Sequence, residues 1–262
     1  MSRDVALTRP LAPPRTEPVT VDARGMHYRD LNARLHELVR QGVESIAITG
    51  VAGQRYLGTS VQAPVRITIH GVPGNDLGAF MDGPYIEVLG DAQDGCGNTM
   101  NGGTIVIHRS AGDIVGHSMR GGKILVRGNV GYRVGIHMKE YASVRPVIVI
   151  GGTAQHFLGE YMAGGVMVVL GLGLAPGEPH PSRYVGTGMH GGVIYMRGAV
   201  STTFLGKEVG LVPMEPEDEW LVQGLVRDFG AQFGLDPDPL ISSHYVKLAP
   251  LTRRPYGRLY AY

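Results

Sequence analysis

Ten histidines, one cysteine and a row of aspartates are the side chains of this 262-residue chain that could carry chemistry. Histidines within reach of a carboxylate or thiol can hold a metal ion or activate a nucleophile. Asp91 and Asp94 flank the corner sequence GDAQDGCGN, and Asp76 and Asp113 stand near the same point of neighbouring segments. Such carboxylates could do acid–base work on a polysaccharide or an acyl donor. Cys96 is the sole thiol. The pairs Gly102-Gly103, Gly121-Gly122, Gly164-Gly165 and Gly191-Gly192 are of a kind that phosphate-binding loops use. Neither an HExxH motif nor paired cysteine ligands occur.

What must position these residues is a repeat. Gly78, Gly97, Gly116 and Gly135 recur at a period of nineteen, Gly58 precedes them by twenty, and Gly159 and Gly186 resume the phase after insertions. Eight residues past each leading glycine stand Ile86, Ile105, Ile124, Met167 and Ile194; ten past it stand Val88, Ile107, Val126, Val169 and Met196. Ile67 with Ile69, and Ile148 with Ile150, take the same places in their own units. Between them lies a mixed column of Thr68, Glu87, Val106, Leu125 and Val149. Alternation of this kind is a strand with one face buried. One strand per repeat cannot bury its face alone, but stacked coils can.

The spacing therefore predicts an all-β fold, a right-handed parallel β-helix over 45–211. It should be a solenoid of about eight coils with rungs about 4.8 Å apart, flanked by short N- and C-terminal helices. Left-handed β-helices follow hexads, at about eighteen residues per coil; a longer coil with a double glycine breaks that pattern. The insertions after Gly135 and Gly159 suit right-handed coils with variable corners.

Register then weighs the candidates. His70 and His108 share a column but lie two rungs apart, about 9–10 Å. That is too far for one ion, whose ligand bonds are about 2 Å. Leu89 between them and Arg127 after them mark the column as solvent-facing. His117, His137, His156 and His190 take four different places relative to their glycines, as scattered corner histidines would. The aspartates suit turns, where their side chains bond local backbone. Cys96 stands where other repeats carry Leu57, Leu77, Val115, Val134 and Leu158, so it reads as a small buried hydrophobe. No helix follows each strand, so a Rossmann or P-loop reading of the glycines fails. The sequence thus assigns no catalytic residue and no metal ligand, and leaves any cofactor-binding residue unknown.

The flanks divide as 1–44 and 212–262. The first holds a Pro-rich lead, 1–25, and an amphipathic helix from Asp30 to Gln41 with Leu31, Leu35 and Leu38 on one face. The second opens on Glu215-Pro216-Glu217-Asp218-Glu219, a helix start, and continues with Val222, Val226, Phe229 and Phe233 at helical spacing. Either helix would serve as a cap over an open β-edge. The Pro- and Tyr-rich tail from Leu235 to Tyr262 either packs along its own rod or lies as an arm on a neighbouring subunit. A net charge of +1 leaves no nucleic-acid footprint. No apolar run approaches the ~20 residues of a membrane span, and the first residues lack the apolar core of a signal peptide. A single cysteine offers no disulfide framework. The expectation is a cytoplasmic protein with neither nucleic-acid nor membrane partners.

The glycine patterns of GDAQDGCGNTMNGG, AGDIVGHSMRGG and GTAQHFLGEYMAGG resemble the GXGXG domain, over about Ser45 to Leu211. That domain closes the large subunit of glutamate synthase and forms the C subunit of formylmethanofuran dehydrogenases, a right-handed β-helix in both. A chain with a short N-terminal helix and a C-terminal arm looks most like the C subunit. A composition rich in Arg, Ala, Val and Pro, and not in Lys and Glu, points to the bacterial formyltransferase/hydrolase version.

The resemblance implies a noncatalytic scaffold subunit in tetrahydromethanopterin- and methanofuran-linked one-carbon metabolism, where formaldehyde is oxidised to formate. The implied partners are a formyltransferase subunit, an amidohydrolase-like subunit and a further B-type subunit of one hetero-oligomer. A methanofuran-type carrier, tetrahydromethanopterin and a metal centre would belong to those partners, with no cofactor in this chain. Two other readings stay open: a glutamate-synthase-like structural module, and a β-helical enzyme in which Asp91 or Asp94 would be needed.

Overall fold

The computed structural model describes residues 17–251. Each repeat supplies one short strand because its Ile and Val side chains alternate in direction and pack well on a pleated surface. The chain runs β1 (Val19–Asp22), α1 (Tyr28–Arg40), β2 (Ser45–Ala52), β3 (Arg66–Val72), β4 (Tyr85–Val88), β5 (Thr104–Ile107), β6 (Lys123–Val126), β7 (Val147–Ile150), β8 (Ala163–Val169), β9 (Gly191–Arg197), β10 (Val209–Val212), α2 (Pro216–Phe233), α3 (Asp238–Ile241) and β11 (Tyr245–Pro250). All eleven strands form one sheet in the order β1 to β9, then β11, then β10. Strands β1 to β9 are parallel and pair in sequence order.

The register is the one the glycine phase sets. Ile67, Ile86, Ile105, Ile124, Ile148, Met167 and Ile194 lie opposite one another from strand to strand. All are buried, as is the second inward column from Ile69 to Met196. Two further columns close the interior from the other sides of the coil. One is Leu57, Leu77, Cys96, Val115, Val134, Leu158 and Val185; the other is Met81, Met100, Met119, Met138, Met162 and Met189. Unbranched methionines fill the irregular space beside each corner.

The solenoid makes about six turns, fewer than the eight coils expected. Eight strands, β2 to β9, stack in parallel, and both ends of the rod are built differently. At the first end α1 replaces a coil. It crosses from β1 to β2, and Leu31, Leu35 and Leu38 enter the same interior core as the isoleucine columns. Its bounds shift slightly from expectation, with His27 as N-cap and Gln41 as C-cap. The expected lead over 1–25 is not all lead: β1 pairs Val19 and Val21 with Ile46 and Ile48, and the first sixteen residues lie outside the described ones.

At the other end, β11 inserts antiparallel between β9 and β10. The tail through Pro250 therefore packs on its own rod; residues 252–262 lie outside the described ones. The second helix does not cap an end. Val222, Leu225, Val226 and Phe229 of α2 pack with Val106, Leu125, Val149, Val168 and Tyr195, which is the outer face of the sheet. Those residues continue the mixed column, and the helix explains why it turns apolar after Glu87.

Candidate functional site

The corners hold nearly all the polar residues singled out above. In each coil three alternate residues take left-handed backbone angles: the phased glycine and the residues two before and two after it. In the corner after β3 these are Asp76, Gly78 and Phe80; in the corner after β5, Ile114, Gly116 and Ser118. The alternation turns successive peptides in opposite directions along the rod. Ile114 and Ser118 donate their amides forward to Tyr132 and Ile136, whereas Gly116 donates back to Cys96. Each corner so bonds both neighbours without being a regular strand.

Only the central position needs glycine at every coil. A Cβ on Gly97 would press on the Ile124 Cδ1 of the next coil, and one on Gly116 on Ile148 Cδ1. That position faces the core. The flanking two face outward and accept Tyr56, Arg133, His137, Phe157 and Tyr161, despite a left-handed conformation that costs an L-residue about 1–2 kcal/mol.

The aspartates staple coil to coil. The Asp91 carboxylate accepts the Ser110 amide at 2.9 Å, the Ser110 hydroxyl accepts the Asn129 amide at 3.2 Å, and the Asn129 side chain accepts the Thr153 amide at 2.8 Å. A second ladder beside it joins Asp94 to the Asp113 amide at 2.8 Å and Asp113 to the Tyr132 amide at 2.9 Å. Glycines make room for these oxygens: a Cβ on Gly112 or Gly131 would collide with Asp94 Oδ1 or Asp113 Oδ1. Asp76 accepts from the Asn98 amide group at 2.9 Å. These carboxylates are spent on backbone and side-chain donors of the adjoining coil rather than gathered around a common point.

Cys96 is fully buried, and its thiol leans on the Gln93 carbonyl at 3.3 Å. Burial, with Asp76 and Asp94 nearby, pushes the thiol up to about 12, so it stays protonated and inert at neutral pH. Of the histidines, His108 is half-buried, bonded to Glu87 at 2.9 Å and set edge-on against Phe233 at 5.3 Å. His70 is exposed and apart from it. The corners bring others together in a way the glycine phase did not show. His117 and His137 have ring centroids 6.1 Å apart, and His137 stacks on Tyr161 at 5.4 Å. Phe157 stacks on Tyr184 at 5.0 Å, and His156 meets Tyr132 at 5.6 Å. Burial, reinforced by His137, holds the His117 imidazole below its ordinary value. His190 is separate, its ring on the Gly188 carbonyl. Among the described residues no three His, Cys, Asp or Glu side chains are grouped to hold a metal ion, and no helix is long and apolar enough to cross a membrane.

Polar contacts also anchor α2. Asp218 accepts from Tyr195 and Lys247, each at 2.5 Å, and closes a capping box with Glu215. Further along, the buried Lys123 pairs with Asp228 at 2.5 Å. The helix is thus pinned near both ends to the sheet it covers.

The class defined by these features is a parallel solenoid whose corner repeats three left-handed residues, the middle one an inward glycine. The GXGXG motif family matches residues 31–249, and the chain belongs to that family. The match reaches from α1 to β11, so the end pieces belong to the shared unit as much as the coils do. The chain is 47% identical over 252 residues to an uncharacterized protein of Methanocaldococcus jannaschii, covering 93% of this chain and 97% of that one. In structure it is similar to a chain of the formyltransferase/hydrolase complex FhcABCD of Methylorubrum extorquens, determined with methylofuran. The TM-score there is 0.61 at 20% identity, over 91% of this chain and 93% of that chain. At that identity the likeness establishes the shared fold.

Proposed function

We propose that this chain is a scaffold subunit of a complex of the formyltransferase/hydrolase type. The observation that supports it most is the length of the structural likeness, 91% of this chain on 93% of an FhcABCD chain. In this reading the chain is cytoplasmic and noncatalytic. It docks a formyltransferase subunit, an amidohydrolase-like subunit and a further B-type subunit. Formyl transfer and hydrolysis, in tetrahydromethanopterin- and methanofuran-linked one-carbon metabolism, take place in those partners, which carry the cofactors and metal centre. The engagement of Asp76, Asp91, Asp94 and Asp113 in joining coils is in keeping with a structural role. Gentle purification of the tagged chain from its native host tests the reading. Stoichiometric recovery of a formyltransferase and an amidohydrolase-like protein is expected, and a solitary chain would overturn it.

At 20% identity the FhcABCD likeness shows the fold alone, which leaves room for a second reading. There the chain stands on another branch of the family, as a glutamate-synthase-like structural module. Recovery of a glutamine amidotransferase in the same purification would select this branch.

A further inference from the structure

One side of α1 borders a groove of about 250 Å³. Tyr28, Arg29, Asn32 and His36 line it from the helix, and Tyr56 and Thr59 from the first corner. Two oxygens of this lining, Asn32 Oδ1 and Thr59 Oγ1, are buried without a hydrogen-bond partner. The Asn32 amide cannot be turned to relieve this, because its nitrogen already donates to the Tyr28 carbonyl at 2.8 Å and the Arg55 carbonyl at 2.9 Å. The Asn32 side chain is so fixed, with its oxygen closed off from solvent. The Tyr28 and Tyr56 rings stand 5.8 Å apart, and the Arg55 and Arg29 guanidinium groups lie 5.2 and 5.9 Å from the Tyr28 ring.

An occupant that meets these rings and arginines offers a flat apolar body and an acidic surround. The groove is smaller than the roughly 300–1,000 Å³ of ordinary ligand sites and suits one large side chain. Such a side chain is present on a different surface of this molecule. Trp220, the only tryptophan, is 74% exposed on the first turns of α2. Exposed glutamates precede and surround it at Glu215, Glu217 and Glu219. Tryptophans anchored in pockets dominate many interfaces.

We propose that Trp220 of one copy inserts into the Tyr28–Tyr56 groove of a second copy. Its ring lies against the Tyr28 and Tyr56 rings, and Glu217 and Glu219 face Arg29 and Arg55. Knob and groove lie on different surfaces, so the contact is head-to-tail and leads to rings or open chains rather than a two-fold dimer. The inference concerns contacts between copies and does not rest on the reading of the complex above.

The single tryptophan reports on the contact directly. As the full-length chain is concentrated, its emission should move to shorter wavelength while sedimentation shows larger species. Trp220→Ala should weaken self-association about tenfold or more, as should the pair Arg29→Glu with Arg55→Glu. All three positions are exposed, and an unchanged melting temperature would show that these variants fold. Mixing the two variants should restore association but stop at a one-to-one dimer, since only one knob and one groove remain. A parent chain that stays monomeric with unshifted emission overturns the proposal, whether or not another protein fills the groove. So does a Trp220→Ala protein that associates as the parent does.

Discussion

The two long helices look alike in sequence and do opposite things. Each carries an apolar stripe at helical spacing. In α1 that stripe, Leu31, Leu35 and Leu38, enters the tube and ends the interior columns. In α2 the stripe, Val222, Leu225, Val226 and Phe229, lies against the outside of the sheet. The rod therefore has two apolar surfaces with separate origins. The inner one closes on itself because coils stack. The outer one begins at Tyr85 of β4 and broadens from β5 onward, where Val106, Leu125, Val149 and Val168 succeed Thr68 and Glu87, and it needs a second element to cover it. Periodicity says that a helix buries a stripe; it does not say against which surface.

Substitutions can break this division. Ile105→Asp should have the largest effect, since it places an unpaired charge in the closed interior, and the rod should fail to fold. A variant with the parent's circular dichroism and melting curve would mean that the inward column is wrongly assigned. Next comes Phe229→Ala, at about 3–5 kcal/mol. Its loss should be local: amides of α2 should exchange faster in deuterium while those of β3 and β4 keep their protection. Leu35→Ala, at about 2–5 kcal/mol, should instead lower the melting temperature of the whole rod. If both variants loosen helix and rod together, the two surfaces are one cooperative unit.

Acid provides a subtler separation. Burial pushes the Asp218 carboxyl up, but hydrogen bonds from Lys247, Tyr195 and the Glu215 amide outweigh it and leave the group below its ordinary value. A depressed folded pKa stabilises above the unfolded value of about 3.9. That contribution fades as pH falls below it, through the folded pKa. Below about pH 4 α2 should therefore detach before the rod unfolds, seen as faster exchange in α2 than in the strands; simultaneous loss would argue against it. The smallest effect is Asp94→Ala. It leaves the Asp113 amide without its acceptor, for about 1 kcal/mol and a melting temperature only slightly lowered. A collapse of the rod would give the staple far more weight than its geometry does.

The inner half of this structure was open to reading from the chain, because burial imposes strict terms. Ile and Val had to recur in step, and the phased glycine had to lack a Cβ where it touches the next isoleucine. The outer half obeys looser terms. Non-glycine residues at left-handed angles, such as Ile114 and Arg133, carry no compositional mark. The stacking of His137 on Tyr161 joins residues at the same distance past their glycines, a column that only a chart of the outward positions would have shown. The aspartate staples were legible as turn residues, but not that they reach one coil onward. The site of α2 had one signal, the change from Glu87 to Val106 in the mixed column. The Leu235–Tyr262 tail gave none, since a late antiparallel strand has no counterpart among the repeats.

The corner has a further property when viewed from outside. Its backbone is fixed by the inward glycine, yet the residues on either side of that glycine vary freely, from Asp76 to Ile114 to Phe157. Each is presented at the same angle, and each is one rung, about 4.8 Å, from the next. The edge of the rod is thus a grating with constant pitch and interchangeable lines. Anything that lies along it samples side chains at a fixed interval, so a change of one residue alters a single line and leaves the spacing of all the others intact.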